Sequence, residues 1–154
     1  MKPNASKIAG GLVIGMLVIC GGAWLHGARA AQPAPKPAVA FNITSGKEDL
    51  HAVTMALQLA GHALDDGREA VLFLNVRAPE LARADLPESF AFGPNPPVKK
   101  MLADLLARGA QLIVCPHCMK ALGLTEADLV AGAKVANREL LFGKLGPGTV
   151  VFSY

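Results

Sequence analysis

The 154-residue chain is poor in aromatic side chains, with one tryptophan, one tyrosine and six phenylalanines. No stretch interleaves them with Lys or Arg. This excludes the stacking platform and basic groove of a nucleic-acid binder. An excess of charge of one sign is also missing. The formal net charge of +3 comes from Lys2, Lys7 and Arg29, which all precede residue 31, whereas every acidic residue follows it. From residue 31 onward twelve basic residues face twelve acidic ones, so the overall basic balance says nothing about partners. Cysteine is scarce as well: Cys20, Cys115 and Cys118. With Cys20 in the leader, the domain keeps two thiols three positions apart. A disulfide between them closes a ring too small to restrict the unfolded chain much, because loop-closure entropy grows with ring size. A structural staple is therefore a poor account of the pair, and redox, sulfur-carrying or metal chemistry is a better one. No internal repeat is present.

Residues 1–30 read as a signal peptide or an N-terminal membrane anchor. Lys2 and Lys7 make a positive start, and Ile8 to Leu25 is almost wholly apolar. Ala28-Arg29-Ala30 then offers small residues at the two positions that signal peptidase reads, so cleavage is expected before Ala31. The alternative is an uncleaved anchor over residues 8–25, which Gly10, Gly11, Gly15, Gly21 and Gly22 weaken. Ile19 stands where a lipoprotein site at Cys20 wants a small residue. On either reading the domain is exported, to the periplasm or another extracytoplasmic space, and touches membrane only if the leader stays attached. Residues 31–38, with Pro33, Pro35 and Pro37, form an extended linker. The domain covers 39–154.

Within it, Val39–Ile43 is a first strand, and Ser45 with Glu48 has the spacing of a capping box for the next helix. Apolar residues then recur at helical spacing from Leu50 to Leu64, and Gly67 suits the position just past the helix end. Glu69 to Val76 reads as a buried strand. Arg77 to Pro97 is a long proline-rich loop around Phe90-Ala91-Phe92, of a kind that serves as lid, binding loop or oligomer contact. Val98 to Leu106 is an amphipathic helix stopped by Gly109. After Cys118 a short helix reaches Gly123, and Thr125 with Asp128 makes another capping box. A strand at 133–136, a short helix at 137–145 and a last strand at 149–152 complete the chain. Apolar strands alternating with helices indicate a mainly parallel sheet covered on both faces. The expected class is α/β, a three-layer α/β/α domain of about five strands.

The stretch Leu112-Ile113-Val114-Cys115-Pro116-His117-Cys118 organises the rest. An apolar strand ends on Cys115, and Pro116 follows where a helix tolerates proline in its first turn. A helix start favours thiolate over thiol. In parallel sheets ligands bind beyond the carboxyl ends of the strands. That rim collects Thr44, Ser45, Asn75, Arg77, Cys115, His117 and Asn137. Cys-Pro-His-Cys is also the tetrapeptide of DsbA-like oxidants. A thioredoxin fold, however, places it after the first strand, with much more domain behind it and a proline-bearing loop opposite. Here 36 residues follow Cys118, with Pro147 as the only later proline.

The placement instead resembles the DsrE/DsrF-like family, which includes the TusD-type sulfur-relay subunits. In that family the active cysteine ends a strand and opens a helix closing on a glycine eight residues later, as Cys115 and Gly123 do. Cys118, Leu124, Thr125, Glu126, Asp128 and Leu129 also fit, as does the early helix around Met55-Ala56-Leu57-Gln58-Leu59-Ala60 with Gly67 and Phe73. The resemblance covers about Val39 to Tyr154. It implies persulfide carriage: Cys115 accepts a sulfane sulfur and hands it to a partner protein's thiol, with no cofactor, often within a homo-oligomer. Export departs from the cytoplasmic relay, and Cys118 adds a thiol able to attack a Cys115 persulfide. Two alternatives stay open, a dithiol/disulfide redox protein using Cys115 and Cys118 and a non-catalytic interaction or metal-binding module. Cys118 is also readable as a small core residue, and His117 as a solvent-facing helix start or as a group tuning Cys115. A zinc site at Cys115, His117 and Cys118 lacks an evident fourth ligand.

Overall fold

The computed structural model describes residues 36–154; the leader and most of the linker lie outside them. The strands are β1 (Val39–Ile43), β2 (Ala70–Leu74), β3 (Gln111–Val114), β4 (Ala133–Val135) and β5 (Val150–Ser153). The α-helices are α1 (Leu50–Asp65), α2 (Val98–Ala107), α3 (Pro116–Ala121) and α4 (Arg138–Phe142). The strands form one sheet in the order β4-β3-β2-β1-β5, and every adjacent pair is parallel. This is the expected three-layer α/β/α arrangement. Among the described residues no helix is long and apolar enough to cross a membrane.

Alternation along the strands sends side chains to two faces of unequal depth. Phe41, Ile43, Leu72, Leu74, Leu112 and Val114 pack with Val53 and Leu57 of α1 and Leu102 and Leu105 of α2 in the main core. On the other face Ala40, Val71 and Ile113 are buried too, but among the described residues only Phe73, Ala136 and the short α4 segment with Leu140, Leu141 and Leu145 pack against them. The layer opposite α1 and α2 is thin.

Local signals placed most helix ends correctly. Gly67 and Gly109 follow α1 and α2 with φ of +72° and +94°. Thr125 and Asp128 form their capping box, with Asp128 Oδ2 accepting from both the Thr125 N–H and its hydroxyl at 2.7 Å. The box expected at Ser45 and Glu48 does not form. A 3-10 turn at Lys47–Asp49 intervenes, and Asp49 caps α1, its Oδ1 accepting from Ala52 N–H at 2.9 Å. The reason is tertiary. Glu80, from the long loop, accepts the Lys47 N–H at 2.8 Å, and Glu48 turns back to the Gly46 N–H at 3.0 Å.

The loop from Arg77 to Pro97 is more ordered than its prolines suggest. It contains a 3-10 turn at Ala78–Ala82 and an antiparallel bridge from Arg83 to Leu129. Phe90 packs against the main core, and the Phe92 ring stacks on His51 at 4.2 Å. At the far edge Phe152 of β5 stacks on Phe41 at 5.7 Å. Tyr154, just past β5, packs against the core, and its N–H donates to the Asn42 carbonyl at 2.9 Å. The Tyr154 carbonyl accepts from both the N–H and the hydroxyl of Thr44, at 2.6 and 2.7 Å.

Candidate functional site

Cys115 sits where β3 becomes α3. Its N–H extends the ladder to the Leu74 carbonyl at 2.9 Å, and its own carbonyl accepts the Met119 N–H at 2.9 Å. Its backbone is extended (φ −68°, ψ 118°), with Pro116 opening the helix behind it. The side chain makes no capping bond to α3, so the half-buried sulfur is not committed to holding the helix end. α3 has only six residues and ends at Gly123, whose φ of +69° lets the chain turn out after less than two turns. The spacing from Cys115 to Gly123 is thus the length of one strand-to-loop helical segment.

Cys118, one turn on, is half-buried. Burial pushes its thiol up from the ordinary value, and the neighbouring Cys115 thiol adds to this. The folded chain therefore keeps the Cys118 proton at a pH where the unfolded chain has lost it. The contribution of Cys118 to stability is complete below the unfolded thiol value, about pH 8.5. It declines as pH climbs from there towards the raised value of the folded chain. Melting temperatures between pH 8 and 10 are expected to fall more steeply for the native chain than for Cys118→Ala; parallel curves would show that this thiol is not linked to folding.

The other rim residues divide clearly. His117 is exposed on the first turn of α3 and makes no side-chain hydrogen bond among the described residues. Asn75 lies beside Cys115 in the continued register of β2 and β3. Its amide donates to Asn42 Oδ1 at 2.5 Å, and Asn42 donates in turn to Ser153 Oγ at 3.3 Å, a polar row across three strands. Asn137 caps α4, its Oδ1 accepting from Leu140 N–H at 2.7 Å. Arg77 is exposed and stands 3.9 Å from Glu48. Thr44 is occupied by Tyr154. These three are structural at the rim rather than gathered on the thiols.

Sequence reasoning missed Val76. Expected inside a strand, it lies beyond the end of β2, is 57 % exposed, and donates its N–H to Cys118 Sγ at 3.1 Å. It is the one non-glycine residue with positive φ among those described, at +54°. No local signal marks it, since its partner is 42 positions away.

Two open grooves flank the far half of α3, of about 430 Å³ beside Pro116, Met119, Gly123 and Thr125 and about 360 Å³ beside Glu80, Phe90, Leu122 and Leu124. Neither is lined by a cysteine. Among the described residues no three His, Cys, Asp or Glu side chains are grouped to hold a metal ion, so Cys115, His117 and Cys118 do not converge on one point. The arrangement places one half-buried thiol at the rim, with a second a helical turn further on.

Comparison with known proteins bears on the family and the fold. The family model of the DsrE/DsrF-like family matches residues 38–151. An uncharacterised protein of Methanocaldococcus jannaschii is 33 % identical over 109 residues, which are 70 % of this chain and 90 % of that one. Among solved structures, a protein of unknown function from Methanobacterium thermoautotrophicum superposes with a TM-score of 0.58 at 16 % identity, over 77 % of this chain and all of that one. The YchN protein of E. coli superposes with a TM-score of 0.54 at 17 % identity, over 76 % of this chain and 99 % of its own. At such identities the two structures speak for the fold, and the family rests on the sequence match. With the family model matched from residue 38 to residue 151, the chain belongs to the DsrE/DsrF-like family.

Proposed function

We propose that this protein is an exported sulfur carrier or transferase in which Cys115 holds a sulfane sulfur as a persulfide. Membership of the DsrE/DsrF-like family suggests a sulfur-relay type of role. The observation that carries the assignment to Cys115 is its position: strand end, helix start and sheet rim coincide there, and no hydrogen bond to the helix ties up the sulfur. In the forward step the Cys115 thiolate attacks the sulfane sulfur of a donor. A new S–S bond forms, the donor's S–S bond breaks, and the donor leaves as thiolate or sulfite. In the transfer step a partner protein's thiolate attacks the outer sulfur, and Cys115 leaves as thiolate. Cys118 supplies a proton donor beside the reacting sulfur in both steps.

A rim thiol outside any deep pocket suits a partner that brings its own cysteine. The leader pattern of residues 1–30 supports a periplasmic or other extracytoplasmic setting, where sulfur or thiol metabolism is the natural context. A homo-oligomer is the assembly proposed.

Intact mass tests this. After incubation with polysulfide or thiosulfate and desalting, a gain of about 32 Da, one sulfur atom, is expected on the native chain and on Cys118→Ser, and not on Cys115→Ser. A folded native protein that gains nothing sinks the proposal. Loss of two hydrogens alone, reversed by a reductant, would replace it with the dithiol/disulfide reading.

A further inference from the structure

Four consecutive backbone N–H groups after β2 have partners, and one of those partners is unusual. Asn75 donates to the Ile43 carbonyl at 3.0 Å, Arg77 to the Thr44 carbonyl at 3.1 Å, and Ala78 back to the Asn75 carbonyl at 3.0 Å. Val76 alone donates to a side chain, the Cys118 sulfur, at 3.1 Å. In a regular parallel ladder, residues two apart on one strand donate to carbonyls two apart on the other. Here Asn75 and Arg77 donate to neighbouring carbonyls, so Val76 is an extra residue, bulged out of the ladder. Bulges of this kind re-aim groups beside active sites.

The bulge is built against local preference. The turn from Asn75 to Ala78 has φ of +54° at its first central residue and φ −97°, ψ −21° at its second. Those signs are those of a type II′ turn, whose first central position is glycine's. A β-branched residue there is strained. Nothing about the Val76 side chain compensates, because it is more than half exposed. What the conformation gains is the direction of the N–H.

We infer that Val76 is a positioning residue whose N–H holds Cys118 Sγ beside Cys115 and stabilises the Cys118 thiolate that forms before it attacks the Cys115 persulfide. This rests on the persulfide reading above and extends it to a second step. Cys118 gives up its proton to solvent, and its thiolate attacks the inner sulfur of Cys115–S–SH. A Cys115–Cys118 disulfide forms, the persulfide S–S bond breaks, and the outer sulfur leaves as hydrosulfide. The sulfane sulfur is reduced and the two thiols are oxidised, so a single release balances without another reactant and leaves the chain as the disulfide, which an external dithiol or other thiol reductant must reduce before the next. On this reading the site releases sulfide when no acceptor thiol arrives, with the bulge setting how readily it does so.

The test follows sulfide released from chain preloaded with polysulfide and desalted, across pH. The native chain is expected to release sulfide with loss of two hydrogens from the protein, and Cys118→Ser to keep its adduct and release none. Val76→Pro removes the N–H and, because the proline ring fixes φ at about −65°, also the left-handed turn that aims it. It is expected to load Cys115 normally but release sulfide about tenfold more slowly near neutral pH, its profile moved up by about one unit. Val76→Gly keeps the N–H and should follow the native profile. A folded Val76→Pro chain with native rate and profile overturns the inference. So does a Val76→Gly chain as slow as Val76→Pro, which would make the side chain, not the N–H, the cause. The amide proton of Val76, followed by NMR in the native chain and in Cys115→Ser, decides the matter if Val76→Pro does not fold. A resonance that moves with the Cys118 titration supports the bond, and one that does not move overturns it. That measurement needs no sulfur donor. A chain that never loads sulfur therefore refutes the persulfide reading, while the N–H···S bond is judged separately.

Discussion

Truncating Leu72 to alanine is expected to lower the unfolding free energy by about 4 kcal/mol, roughly twice the loss from Ile113→Ala. Both side chains are fully buried in neighbouring central strands, and the two removals are similar in size. They differ in what stands over them. Leu72 faces the core shared with α1 and α2, where two helices fixed by their own packing leave little freedom to close a cavity. Ile113 faces the thin layer formed by α4 and the turn after it, which is held by few buried contacts and can settle into the space. The cost of a truncation depends on how far the surroundings relax. Urea denaturation of both variants checks this through their midpoints at constant slope. Equal losses would mean that the α4 layer is as rigid as the main core.

Gly46→Val should cost about 3 kcal/mol, more than its place in a rim turn suggests. Its φ of −107° is open to other residues, so the demand is for space and not for conformation. A Cβ at this buried position would run into the Glu80 carboxylate and come within 3.0 Å of both the Arg77 carbonyl and the Glu48 carboxylate. Glu80 cannot simply swing away, because it accepts the Lys47 N–H. Relief therefore requires the turn after β2 to move, and that turn carries Val76. The same variant is expected to disturb the environment of Cys118, seen as a shifted Val76 amide resonance, in addition to its lower urea midpoint. A native-like midpoint would show that the rim turns are not packed against each other as described.

What was legible in the sequence is what local chemistry decides. Apolar runs placed the five strands. Glycine marked the ends of α1, α2 and α3, because a left-handed residue just past a helix end needs no tertiary help. Thr125 and Asp128 bond to one another within four residues and could be read directly. Cys115 at a strand end followed by Pro116 was legible for the same reason. The misreadings involve distant partners. Ser45 and Glu48 have capping spacing, yet Glu80, 33 positions from Lys47, rewrites that turn. Val76 continues an apolar strand pattern, and only Cys118 explains why the chain bulges there. Alternation announces two covered faces but not how deeply each is covered. The shallow layer over Ile113 emerged only from the packing of α4.

The docking of Tyr154 has an optical consequence. The chain's single tryptophan is Trp24, in the leader, and its single tyrosine is Tyr154. A chain cut before Ala31 holds no tryptophan, so its ultraviolet emission comes from one phenol that rests on the core while its backbone bonds to Asn42 and Thr44. Tyrosine emission free of energy transfer to indole then reports a single event, the seating of β5 against β1 at the end of the sheet that also carries the thiols. Emission at the longer wavelengths of indole would come only from chains that keep the leader, so one spectrum distinguishes the cut chain from the uncut one.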